Sequence, residues 1–106
     1  MDSTNLKHSF NIDLTSACAL TANYRKSAPA GAINAELFSK EAVQEILDQR
    51  ACVGLRIYYG LDDNGVQHLV LVGTDTEGED LYNGQLREMG IPCPPDCSTD
   101  SPLNSD

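Results

Sequence analysis

Two cysteines four residues apart with two prolines between them are the part of this chain best suited to chemistry. In Cys93-Pro94-Pro95-Asp96-Cys97 the prolines restrict the backbone, and two thiolates held that way are half of a tetrahedral zinc site. The other half must come from elsewhere, because the remaining cysteines, Cys18 and Cys52, form no second pair of this kind. Cys52 is the best third ligand, His68 competes with it for the place, and a dimer sharing one zinc with two ligands from each copy is a further arrangement. A Cys93–Cys97 disulfide and two unlinked thiols on a rigid terminating turn are the alternatives to metal, and a lone C-x₃-C leaves all of them open. The spacing differs from the C-x-x-C of disulfide-exchange catalysts. Asp96 beside the thiols also disfavours the thiolate that a nucleophile or redox sensor needs.

Other chemistry finds little footing. Counting back from Gly65 or Gly78 puts a glycine, Gly60 or Gly73, at the first position of a calcium loop, where an oxygen ligand is required. No phosphate-binding glycine loop, serine elbow or paired-histidine helix motif occurs. His8 lies in a polar N-terminal stretch, and His68 falls inside a strand pattern where a structural histidine is the default.

The charge narrows the partners. The 106 residues carry sixteen acids and seven bases, net −9. Residues 61–106 hold ten acids against Arg87 alone, so the acidity belongs to the C-terminal half. Nucleic acid and anionic membrane surfaces would repel such a chain. No apolar run approaches the ~18–20 residues of a membrane span. The acids Asp75, Glu77, Glu79 and Asp80 are the candidate contacts for a basic protein partner, whose association would be fast and salt-sensitive; a merely solvated surface is the plainer reading. The N-terminus shows no signal-peptide pattern, which makes the cytoplasm the expected address, with reduced thiols.

The elements that position these residues follow from periodicity. Leu14, Ala17, Cys18, Thr21 and Tyr24 fall on one helical face behind the N-cap Asp13, predicting a helix over about 14–27 with Cys18 on its apolar stripe. Ser39 caps a second helix over about 39–50, with Ala42, Val43, Ile46 and Leu47 as the buried face and Phe38 stapled onto Val43. The period then changes to two. Val53, Leu55, Ile57 and Tyr59 alternate with Gly54, Arg56 and Tyr58 in a strand, Leu61 to Gly65 turns, and Val66–Thr74 returns as a strand covered on both faces. Leu81, Tyr82, Leu86 and Met89 predict a further strand or short helix that ends at Gly90-Ile91-Pro92. The expected architecture is α+β: a small antiparallel sheet of three to four strands around a central hairpin at about 52–74, with both helices packed on one face. Residues 1–11 read as a flexible arm, 12–97 as a single domain and 98–106 as a disordered tail.

Hairpin pairing places residue 60 near 66 and residue 52 near 74. Cys52 and His68 then lie on the order of 20 Å apart at ~3.3 Å per residue, too far to act as nucleophile and base or to share one zinc. The acidic turn Asp62-Asp63 and the acidic loop 75–80 fall at opposite ends of the hairpin and cannot pool carboxylates.

The segments Phe38-Ser39-Lys40-Glu41 with Ile46-Leu47, Cys52-Val53-Gly54-Leu55-Arg56-Ile57-Tyr58-Tyr59-Gly60, His68-Leu69-Val70-Leu71-Val72-Gly73 and Pro92-Cys93-Pro94-Pro95-Asp96-Cys97 together resemble a group of small uncharacterised bacterial proteins. The resemblance carries no activity. It implies that Cys52, Cys93 and Cys97 belong to a shared pattern and that Cys18 does not. The expected function is a non-enzymatic protein-interaction or accessory domain without a cofactor, with a zinc-stabilised domain using Cys52, Cys93 and Cys97 as the alternative.

Overall fold

Asp13 accepts a hydrogen bond from the Ser16 amide through Oδ1 at 2.7 Å and starts helix α1, Leu14–Ser27. Arg25 and Lys26 in its last turn suit the helix dipole. Ser39 Oγ accepts from the Ala42 amide at 3.1 Å and starts α2, Lys40–Leu47. This helix stops three residues short of the expected end. Asp48 is its C-cap, and the chain tightens through Gln49 N–H to Ile46 carbonyl and Cys52 N–H to Gln49 carbonyl. The computed structural model describes Leu6 and residues 9–105. Most of the expected N-terminal arm, His8 included, lies outside the described residues.

The strands are β1 Ala35–Leu37, β2 Gly54–Leu61, β3 Gln67–Thr74, β4 Leu86–Glu88 and β5 Ile91–Cys93. They form an α+β fold with two antiparallel sheets where a single sheet is expected: a three-stranded sheet in the order β2-β3-β4 and a two-stranded sheet pairing β1 with β5. The hairpin register pairs Gly60 with His68 and Gly54 with Thr74, two residues away from the expected one. The cause is a connection of the same length placed one residue later, at 62–66 where 61–65 is expected. Asp62 Oδ1 accepts from the amides of Asn64 and Val66, the Asp62 amide donates to the Val66 carbonyl, and Gly65 takes φ 79°. That Asx-type closure lets Leu61 continue the strand and starts the turn at Asp62. Ile91-Pro92, expected to end the last element, is instead strand, paired with Leu37 and Glu36. Proline fits there because the two-stranded sheet is all edge.

Side chains of a strand alternate between faces, and this puts the core on both sides of β3. On one face Ile46, fully buried, packs where a Cβ on Gly73 would meet its Cγ2 at 3.2 Å, with Leu71 also buried there. Val72 is buried on the opposite face, cross-strand from Arg56. Gly73, Thr74 and Cys93 are buried as well. The core is small for the chain: α1 buries none of its residues, Cys18 is half-exposed, and the radius of gyration is 15.4 Å against about 13 Å for a compact domain of this length.

The helices reach the sheets differently. α2 lies over the Gly73 end of the three-stranded sheet, while α1 packs mainly against a 3-10 turn at Pro102–Asn104. The Tyr24 hydroxyl ties α1 to the far end of β3, 3.1 Å from Gln67 Oε1 and from the Ile33 carbonyl. The C-terminal segment, read from sequence as a tail, lies against α1. Arg25 donates to the carbonyls of Leu103 at 2.7 Å and Ser105 at 2.8 Å.

Candidate functional site

Cys93 and Cys97 are joined in a disulfide with their Cα atoms 4.9 Å apart. The short loop between them holds cis peptide bonds before Pro94 and Pro95. In this form neither sulfur is a thiolate, so the expected half zinc site is not assembled. Cys52 stands apart. Its Sγ is 3.2 Å from the Gly54 carbonyl and faces Gly73 beneath α2, whereas Cys93 Sγ accepts from Asn104 Nδ2 at 3.5 Å beside the C-terminal turn. Among the described residues no group of three or more cysteine, histidine or acidic side chains is placed to hold a metal ion. His68, paired with Gly60, lies eight ladder positions from Cys52, and the expected separation of the two holds.

The disulfide forms one wall of a cleft of about 490 Å³ that Thr21, Arg25, Glu36, Ile91 and Asn104 also line. Several of its polar groups already serve the fold. Arg25 binds the C-terminal carbonyls, and Asn34 Nδ2 lies 3.5 Å from Asn104 Oδ1. Glu36 Oε2 accepts from the Leu69 amide at 3.2 Å, and its Oε1 accepts from the Gly90 amide at 3.2 Å, so one carboxylate ties β1 to β3 and to the turn after β4.

The candidate acidic docking loop is divided in the same way. Asp75 Oδ1 accepts from the amides of Glu77 and Glu79 and shapes the turn. Asp80 accepts from Arg56 Nη1 at 2.7 Å and from the Tyr58 hydroxyl. The Tyr58 hydrogen bond, then the Arg56 one, holds the Asp80 carboxyl below the ordinary carboxylate range, and the same contact pushes the Tyr58 phenol up. Of the four, Glu77 and Glu79 are exposed and Asp75 and Asp80 are half-buried.

His68 is the one histidine the structure describes, and its neighbours are acids. Nε2 is 2.9 Å from Asp62 Oδ2, and Nδ1 is 3.8 Å from Glu88 Oε2. The Asp62 hydrogen bond raises the imidazole above its ordinary value, with Asp62, Glu88 and Glu36 adding to the field against partial desolvation. Asp62 is lowered in turn, first by the Val66 amide and then by His68. Such a histidine stays cationic more readily and closes a turn, and the partners of its two ring nitrogens among the described residues are carboxylates.

What remains open is the outer edge of β2. The Asp62 amide donates to the Val66 carbonyl, which fixes the alternation of the antiparallel ladder. Residues 60, 58, 56 and 54 direct their backbone groups to β3. Leu61, Tyr59, Ile57 and Leu55 direct theirs away from it, and among the described residues no strand pairs there. The same four residues place their side chains on one face, and they are 76, 83, 48 and 38% exposed. Sequence periodicity identifies Leu55, Ile57 and Tyr59 as one row of the strand and leaves Leu61 in the turn. Which edge of β2 is unpaired depends on sheet order, and no pattern within residues 52–61 encodes that. No protein-family model, curated protein or solved structure matches the chain.

Proposed function

We propose that this chain is a non-enzymatic protein-interaction domain that docks through β2, taking a strand from another polypeptide onto its open edge. The observation that carries the reading is the coincidence in Leu55, Ile57, Tyr59 and Leu61 of outward backbone groups and exposed apolar side chains. Native edge strands are ordinarily protected by a charge, a proline, a bulge or a cover. Here the ladder is regular from Gly54 to Leu61 without proline, and its only charge, Arg56, is drawn to Asp80 on the other face. Strand addition uses main-chain hydrogen bonds for affinity and alternate side chains for specificity, and this edge offers both.

Docking of a basic partner on the acidic loop has less support, since Asp75 and Asp80 are engaged in the fold. The zinc alternative needs the Cys93–Cys97 bond to be reduced first. That bond also bears on location. Disulfides persist in oxidising compartments and are reduced in the cytosol, so a cytoplasmic address suits only the dithiol form.

Capture on immobilised protein compares the two surfaces. Binding lost with Tyr59→Lys and kept with Glu77→Lys/Glu79→Lys is the result expected for the β2 edge. The opposite pattern, with recovery that falls as salt rises, moves the site to the acidic loop.

A further inference from the structure

We infer that the strand received by β2 is β2 of a second copy, so that two chains join their three-stranded sheets into one continuous six-stranded antiparallel sheet. The inference rests on the β2 reading above and adds the identity of the occupant.

Symmetry and register support it first. An antiparallel strand can pair with itself about a two-fold axis, the commonest symmetry of protein dimers. Leu55, Ile57, Tyr59 and Leu61 are the residues whose backbone groups point outward, so they must meet one another. A two-fold at Tyr58 achieves this along the whole strand. Leu55 comes opposite Leu61 of the second copy, Ile57 comes opposite Tyr59, and Tyr58 meets its own counterpart in a non-hydrogen-bonded pair. Every cross-strand pair on the open face is then apolar.

Charge supports it second. Of the net −9, the stretch from Ala51 to Leu61 contributes only Arg56, a cation, while ten acids follow from Asp62 onward. A second copy meets least repulsion along this segment. With Tyr58 47% exposed beside the other four, the strand offers five partly or largely exposed apolar or aromatic side chains for a second copy to cover.

The like charge of the two copies fixes the sign of the salt effect. Repulsion elsewhere on the surface is screened as salt rises, so self-pairing tightens, whereas docking of a basic partner weakens.

Sedimentation equilibrium of the full chain tests the proposal, with circular dichroism confirming that each variant is folded. The expected result is a species of twice the 11.5 kDa chain mass whose association strengthens between about 0.05 and about 0.5 M salt. Tyr59→Lys weakens it by about 100-fold or more, because two-fold symmetry places the substitution twice in each interface. Leu20→Lys, at a similarly exposed apolar position on α1, leaves it unchanged. A wild-type protein that stays monomeric overturns self-pairing, as does a dimer indifferent to Tyr59→Lys or abolished by Leu20→Lys. The broader reading is judged separately: a monomer whose captured partner is still lost with Tyr59→Lys keeps β2 as the docking edge, and capture indifferent to Tyr59→Lys removes both.

Discussion

The carboxylate of Asp62 closes on the ring of His68 across the β2–β3 loop, Oδ2 to Nε2 at 2.9 Å, while its other oxygen organises the loop backbone. The histidine is raised above its ordinary value in the folded state. Its contribution to stability is therefore complete below the unfolded value of 6.5 and is lost as pH rises through the raised folded value. Urea midpoints of the wild type are expected to fall from pH 6 toward pH 8 relative to His68→Gln, whose profile lacks that slope. Parallel profiles would show that the contact contributes nothing to folding.

Glu36 joins the two sheets through the amides of Leu69 and Gly90. Glu36→Ala leaves both donors without their acceptor, at about 1–3 kcal/mol for each one kept from water. Glu36→Gln retains one acceptor oxygen and is expected to lose roughly half as much. Equilibrium denaturation measures both, and equal losses for the two substitutions would remove the carboxylate from its joining role.

Gly73 lies under the end of α2, where a Cβ would come 2.8 Å from Cys52 Sγ, 3.0 Å from Gln49 Nε2 and 3.2 Å from Ile46 Cγ2. Gly73→Ala is expected to destabilise by about 1–3 kcal/mol through overpacking. Pairing it with Cys52→Ala should recover part of the loss, because the nearest obstructing atom is removed. No recovery in the double variant would place the strain elsewhere.

The Cys93–Cys97 bond closes a loop of only a few residues, so its expected contribution is near the low end for disulfides, about 2 kcal/mol. Cys93→Ser/Cys97→Ser should lower stability by that order and loosen the turn at Pro102–Asn104, whose Asn104 donates to Cys93 Sγ. Thiol labelling of unfolded, unreduced protein should find two reactive cysteines, Cys18 and Cys52. Four reactive cysteines together with stoichiometric zinc would restore the metal site in place of the disulfide.

The sequence carries its own hairpin and second helix because their signals are local: a serine cap with an apolar face, a period of two, and an Asn-Gly turn. Register is less legible, since Asp62 spends its side chain on the loop amides and starts the turn one residue later than composition suggests. β1 and β5 are three residues each and pair Ala35 with Cys93, too short for periodicity and too far apart in sequence for turn chemistry to announce. The exposure of α1 was also hidden. Its stripe of Leu14, Ala17, Cys18, Thr21 and Tyr24 resembles any core-facing helix, and only the position of the C-terminal turn shows that it covers residues 102–104 instead. Most consequential is the row Leu55, Ile57, Tyr59 and Leu61, where apolar alternation marks a face made for contact without saying whether the contact lies inside the chain or beyond it.

Residue-resolved amide hydrogen exchange tests docking through β2 most directly. In dilute, unassociated protein the amides of Arg56, Tyr58 and Gly60 are expected to exchange slowly, since they point to β3, while those of Leu55, Ile57, Tyr59 and Leu61 exchange fast. At high concentration or with a bound partner all seven should be slow. Outward amides that remain fast in the associated state would contradict the account.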